Sequence, residues 1–486
     1  MTMEHVDPQN WLTQQSRRQF FYTSGLSLGS MALTSMLNAE SGAASSVNPM
    51  TIRPTHHAPK AKRVIFLFMV GGPSQLDLFE HKPEVTRREG QPLPDSFLKE
   101  ANFAQIQASK PKLLGTPWRF DRYGQHGTEI SELLPHTAKI VDHITILRNC
   151  TADETNHFFA ELQMNTGQRQ PGGAGMGAWV TYGLGSMADD LPGFVVFNST
   201  HRPRSKGATY SNGFLPSAFQ GVPFRPKGDP ILNLASPPGF STDRQRRSID
   251  AIKALNDERL TTTGDSEIAA RVSAYEMAFR LQLSAPELMD LSGESKETLE
   301  LYGLNDNPQP CFARDCLLAR RLAERGVRFI QINFADWDHH SHLIPGHTNN
   351  CKHIDQGSAA LVLDLKRRGL LDDTLVIWGG EMGRSSVAQK TNKEFIGRDH
   401  HLSAFTMWMA GGGVKAGTTI GTTEELGCFP EDPSDVVHVH DLQATILHLL
   451  GLDHEQLTYR FLGLSLIHIS EPTRRTPISY AVFCLK

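Results

Sequence analysis

Four apolar runs constrain this chain more than any other feature. Arg63–Val70, Val327–Phe334, Asp373–Gly379 and Ala404–Ala410 are predominantly Val, Ile, Leu, Phe, Met and Trp. A strand with one face in water alternates apolar and polar residues, whereas a strand covered on both faces reads as a nearly continuous apolar run. Shorter strand signals occur at His143–Arg148 and Gly193–Asn198. Between the strands lie segments of helical period: Glu154 to Met164, Glu267 to Leu283, Phe312 to Arg325, Cys351 to Arg368, and Asp441 to Leu450 with Gly451 as its stop. Residues 84–130 and 199–245 carry many Pro and Gly residues and little periodicity, and 172–185 is glycine-rich. The alternation predicts an α/β fold, a doubly wound and mainly parallel sheet with helices on both faces and long loop insertions.

The apolar runs end in reactive side chains. The first leads into Gly71-Gly72-Pro73-Ser74 and then Asp77. The second leads into Asp338-His339-His340, and the third into Glu381 and Arg384, followed by Asp399-His400-His401. Open α/β sheets bind ligands beyond the carboxyl ends of their strands. Carboxylates and imidazoles converging there suit a divalent metal, which makes Asp77, Asp338, His340, Glu381, Asp399 and His400 the candidate ligands. Asp338 and His340 are two apart, so in extended chain they point to one face, with His339 facing away. Asp77 also reads as an ordinary loop cap. Arg384 is a candidate for gripping an anionic substrate group bidentately, or for pairing with Glu381. Asn156 and His157 open a helix whose N-terminus favours an anion. Mixed oxygen and nitrogen donors fit zinc, manganese or iron, while calcium takes more oxygens. Two ions ~3.5–4 Å apart would clamp the attacking and leaving oxygens of an ester; a single ion would activate water or polarise the substrate.

Composition narrows the partners. A net charge of -4 over 486 residues leaves no electrostatic footprint for nucleic acid. The six cysteines form no CxxC pair and read as plain buried thiols. Ser16-Arg17-Arg18-Gln19-Phe20-Phe21 matches a twin-arginine export signal, followed by a weakly apolar stretch from Tyr22 to Leu37 and small residues at 41–44. Residues 1–45 are therefore expected to be a signal peptide, too short and polar for a stable transmembrane span, and the protein to be periplasmic or otherwise exported. Leu464-Ser-Leu-Ile-His-Ile-Ser-Glu-Pro-Thr-Arg474 looks like the in-frame translation of a sequencing adapter, so residues 464–486 are expected to be read-through rather than native chain.

The strings Gly71-Gly-Pro-Ser-Gln-Leu-Asp77, Asn156-His157 with Thr166-Gly167, Trp337-Asp-His-His340, Gly380-Glu-Met-Gly-Arg384 and Gly397-Arg-Asp-His400 together resemble the DUF1501 family over residues 60–463. That family is similar to sulfatases and belongs with the alkaline phosphatase superfamily. The resemblance implies a metal-type site at the strand ends of an exported bacterial protein of unassigned activity. Sulfatases carry a Cys/Ser-x-Pro-x-Arg string ending in Thr-Gly; counting back from Thr166-Gly167 by that interval lands on His157, with neither the Pro nor the Arg. Glu381-Met382 likewise stands where superfamily relatives carry Asp-His. The attacking group is then an alkoxide from Thr155 or Ser74, His157 itself, or water, unless the site only binds. The expected function is metal-dependent hydrolysis of sulfate or phosphate esters, with a sulfated or phosphorylated glycan as the candidate substrate. The alternative is a non-catalytic envelope protein that binds glycan or protein, and phosphonate or phosphomutase chemistry rests on superfamily analogy alone.

Overall fold

In chain order the central strands are β1 (Arg63–Met69), β2 (Ile144–Thr151), β3 (Phe194–Asn198), β4 (Val222–Phe224), β5 (Phe329–Phe334) and β6 (Thr374–Gly379). A hairpin of β7 (Gly383–Lys390) and β8 (Gly397–His401) follows, then β9 (Phe405–Ala410), β10 (Thr418–Ile420) and β11 (Val437–His438). The helices used below are α1 (His157–Thr166), α2 (Met176–Leu184), α3 (Thr242–Thr263), α4 (Ser266–Met289), α5 (Phe312–Glu324), α6 (Leu343–Arg367) and α7 (Val439–Leu449). This computed structural model describes residues 48–467 apart from 99–105, 107–109, 226–229, 232–238, 264–265, 306–308, 310, 391–395 and 463. The twin-arginine segment and residues 468–486 lie outside the described residues, and Leu464–Ile467 pairs antiparallel with Thr458–Phe461.

The nine-stranded sheet has the order β10-β2-β9-β6-β1-β5-β3-β4, with β11 also pairing β2. β1 pairs in parallel with β5 and β6, and β3 in parallel with β4 and β5. Only β9 runs against its neighbours β2 and β6. Every residue of β1 is buried, and the pleat explains the continuous apolar run. Ile65, Leu67 and Met69 join one core layer with α5 and α6, while Val64, Phe66 and Phe68 join the other with α2 and α7. The mainly parallel, doubly wound reading therefore holds, with helices on both faces. Among the described residues, no helix is long and apolar enough to cross a membrane.

Three helices depart from the sequence expectation. The glycine-rich stretch contains helix α2, because Gly177 leaves room for the Phe194 ring: a Cβ there would sit 2.6 Å from it. Tertiary packing outweighs the poor propensity of glycine. α6 starts at Leu343 rather than near Cys351. Pro345 falls in its first turn, where a missing N–H costs little. α3 adds a long helix with only Ile249 and Leu260 buried, too weakly amphipathic to stand out in the sequence.

Candidate metal centre

Five parallel strands deliver the site from their carboxyl ends. β1 supplies the turn at Gly71, β2 leads into α1 with His157, and β3 leads into the loop carrying Arg204. β5 leads to Asp338 and His340, and β6 to Glu381 and the β7–β8 hairpin. Gly71 holds φ at 109°, and a Cβ there would lie 2.8 Å from the Asp338 amide nitrogen. A glycine is needed for both reasons.

His157, Asp338, His340 and His400 converge, one ligand atom from each lying within 4.8 Å of the others. Asp338 Oδ1 sits 3.1 Å from His157 Nε2, 2.9 Å from His340 Nε2 and 3.4 Å from His400 Nε2. Four donors about 2.0–2.1 Å from one tetrahedral ion would be about 3.3 Å apart, so these edges fit a zinc-sized ion. The outer ring nitrogens are each tied to an oxygen. His157 Nδ1 lies 2.6 Å from Glu381 Oε1, His400 Nδ1 lies 2.6 Å from the Thr155 carbonyl, and His340 Nδ1 meets Gln389 Oε1. If Nδ1–H donates to those oxygens, the three Nε2 lone pairs are left to an ion shared with Asp338. That is how outer partners orient metal-binding histidines.

The charges support the same conclusion. Burial alone would raise the Asp338 carboxyl, but the close imidazoles of His157, His340 and His400 and the Arg384 charge hold it far below its ordinary value. Burial opposes the charged form of His157, yet Asp338 and Glu381 outweigh it and raise its pKa. Burial wins at His400 and lowers it. His157 Nε2 is buried and makes no well-formed hydrogen bond despite its closeness to Asp338. The donor set fits a divalent metal.

The structure separates the sequence candidates into three groups. Asp338, His340 and His400 stand in the cluster as expected, and His157, expected as a catalytic group, stands there with them. Glu381, expected as a ligand, lies behind His157 and accepts the Gly71 amide at 2.9 Å. Asp77 is taken up by Arg398, which donates Nε to Oδ2 at 2.7 Å and Nη2 to Oδ1 at 2.9 Å. Asp399 accepts the backbone amides of Ile106 and His400. These three carboxylates are fully buried and each already has a donor, so none joins the four converging groups.

One of the attacking-group candidates is occupied. Ser74 is fully buried and donates its hydroxyl to Asp77 at 2.6 Å. The Thr155 carbonyl orients His400, and Asn156 caps α1 by accepting the Phe158 amide at 3.0 Å. Arg384 has no exposure. Its Nε bonds the Gly72 carbonyl, its Nη1 the Arg398 carbonyl, and its Nη2 Asp338 and the carbonyls of Gly71 and Trp337. It braces Asp338 from within the core, and it does not pair with Glu381 among the described residues. His339 and His347 pair at 3.0 Å outside the cluster.

Arg204 and Gln389 were not visible as site residues in the sequence. They reach Asp338 and His340 from 134 and 49 positions away, with no motif to mark them. Glu161, one turn beyond His157 on α1, accepts the Arg204 and Ser205 amides and the Ser205 hydroxyl. Burial, reinforced by the negative charge of Glu381, pushes its carboxyl up to about 7.

Replacing Glu381 by Gln is expected to leave a folded protein that binds metal roughly 10–100-fold more weakly, the range for losing an outer carboxylate on a ligating histidine. Competition with a chelator of known affinity measures this. Unchanged affinity would remove Glu381 from the metal's support.

No curated protein matches the sequence. The chain is similar to the lipoteichoic acid synthase LtaP from Listeria monocytogenes, at 8% identity over 84% of this chain and 78% of that one, with a TM-score of 0.36. It is similar to a protein in the alkaline phosphatase superfamily from Vibrio parahaemolyticus, at 10% identity over 83% and 70%, with a TM-score of 0.34. It is also similar to the PsFucS1 sulfatase from Pseudoalteromonas sp., at 12% identity over 81% and 68%, with a TM-score of 0.36. The fold itself rests on the sheet order given above. The family profile described as a protein of unknown function (DUF1501) matches residues 61–474, which carry every residue of the site, and the chain belongs to that family.

Proposed function

We propose that the protein is an exported, metal-dependent hydrolase of sulfate or phosphate esters that works at one divalent ion and uses water in place of an enzyme nucleophile. The observation that carries this reading is the set of three Nε2 atoms and one carboxylate oxygen, each ring pinned from behind. A divalent ion held there supplies Lewis acidity, polarising an ester oxygen and lowering the pKa of water. The chain's own residues do the rest. Glu381, Gln389 and the Thr155 carbonyl fix the rings, and Arg384 fixes Asp338. Water is favoured over Ser74 and His157 as the attacking group because Ser74 is buried against Asp77 and the His157 ring is turned with Nδ1 on Glu381 and Nε2 on the proposed ion. A single ion is favoured because a guanidinium fills the position beside Asp77. The twin-arginine pattern supports export, and a substrate met outside the cytoplasm fits a sulfated or phosphorylated glycan.

The test is elemental analysis of the purified mature domain, followed by assays on chromogenic sulfate and phosphate esters before and after chelation. The expected result is about one equivalent of zinc, manganese or iron and turnover that disappears with the metal and returns with it. Turnover that survives chelation would overturn the metal's role. A tightly held ion without turnover of either ester class would favour the alternative, a non-catalytic protein that binds glycan or a protein partner at the envelope.

A further inference from the structure

The loop leaving β3 places His201, Arg202, Arg204 and Lys206 within six positions, all exposed, with no acidic residue from 199 to 206. It is held firmly. The buried Glu161 carboxylate accepts the Arg204 amide at 3.1 Å, the Ser205 amide at 2.8 Å and the Ser205 hydroxyl at 2.6 Å. The Lys206 amide closes the turn on the Pro203 carbonyl at 2.8 Å, and Lys206 itself takes a left-handed φ of 54°. Because Glu161 lies on the same helix as His157, one turn away, the loop's position is tied to that of a metal-cluster histidine.

The side chain of Arg204 reaches over the outer face of that cluster. Its Nη2 meets Asp338 Oδ2, the oxygen turned away from the three histidines, while the side chain stays 59% exposed. Its Nε and Nη1 make no hydrogen bond among the described residues. One edge of the guanidinium is anchored and donors remain open to solvent beside the metal ligands. Arg384, in contrast, has all three nitrogens engaged by protein oxygens.

We propose that Arg204 is the specificity residue of this site, binding the charged moiety of the substrate, a tetrahedral phosphoryl or sulfuryl group, through its open N–H donors. The proposal rests on the ester-hydrolase reading and assigns the anion-binding role to Arg204 instead of Arg384. A planar guanidinium matches two oxygens of such a group in parallel, which an ammonium cannot do. Arg202 and Lys206, exposed on the same loop, add positive field that favours esters carrying further anionic groups.

Calorimetric titration of inorganic phosphate into the metal-loaded protein tests this, comparing wild type with Arg204→Ala and Arg204→Lys and measuring metal on the same samples. The alanine variant is expected to keep its metal and lose roughly tenfold or more in phosphate affinity, with the lysine variant recovering only part of the loss. Equal affinity in wild type and the alanine variant would overturn the proposal while leaving the ester-hydrolase reading to stand on turnover. Metal loss in the alanine variant would also overturn it, by making Arg204 a support for Asp338. Wild-type protein that binds metal but neither phosphate nor any chromogenic ester would overturn both.

Discussion

Asp338→Ala is expected to yield a folded protein with no bound metal. Among the described residues, Asp338 Oδ1 is the one atom close to all three histidine Nε2 nitrogens, so its removal takes away the carboxylate of the cluster. Loss of an outer partner already costs 10–100-fold in metal affinity, and loss of the central anion should exceed about 100-fold. The fold should survive, because Arg384 keeps the carbonyls of Gly71, Gly72, Trp337 and Arg398 as acceptors. Elemental analysis alongside circular dichroism and thermal unfolding reads both halves of this expectation. Wild-type metal content in the variant would break the ligand assignment, and a collapsed fold would show that Asp338 serves structure first.

The second large effect concerns stability. Arg398 and Asp77 form a bidentate pair with side chains 1% and 0% exposed, and Arg398 also bonds the carbonyls of Leu114, Gly115 and Ser385. Arg398→Ala leaves a carboxylate buried without its partner, an arrangement that costs about 3–5 kcal/mol. The sign of the pH dependence follows from Asp77. Burial favours its neutral form, but Arg398 reverses this and its pKa is lowered in the native protein. Its stabilising contribution is therefore present above the unfolded value of roughly 3.9 and is lost as pH falls through the lower folded value. Without Arg398, burial raises the same carboxyl, so acid neutralises it and relieves the variant. The gap between wild type and Arg398→Ala should be widest near neutral pH and shrink towards pH ~5. The double variant Asp77→Ala/Arg398→Ala should be more stable than Arg398→Ala alone, because no charge is left stranded. Denaturant unfolding of wild type and the two variants at two pH values decides it. A single-variant loss below about 1 kcal/mol, independent of pH, would show that the pair is not a structural keystone.

The sequence revealed more of the fold than of the division of labour within the site. β1, β5, β6 and β9 were legible because burial on both faces demands an apolar residue at nearly every position. α2 was not, since Gly177 is explained only by the Phe194 ring and Gly183 by Leu452 and Leu457, all outside the helix. The hairpin of β7 and β8 was equally hidden, because its strands carry Arg384, Arg398, Asp399 and His400 in place of an apolar pattern. Asp338, His340 and His400 were legible as members of one carboxylate–histidine cluster, whereas Asp77, Glu381 and Asp399, read from the sequence as ligands beside them, lie outside it. Which acids remain available to a metal depends on where guanidinium groups and backbone amides come to rest. Arg398 stands 321 positions from Asp77, and that distance leaves no trace in local pattern.

The four converging groups come from residues 157, 338, 340 and 400, which only the finished sheet brings together. The unfolded chain has no comparable cage, so affinity for the ion is converted into resistance to unfolding. At a free concentration 100 times its dissociation constant, an ion bound only by the native state adds about 2.7 kcal/mol. The ion would then act as a clasp as well as a reagent, and the melting temperature of this protein would serve as a gauge of how much metal its surroundings hold.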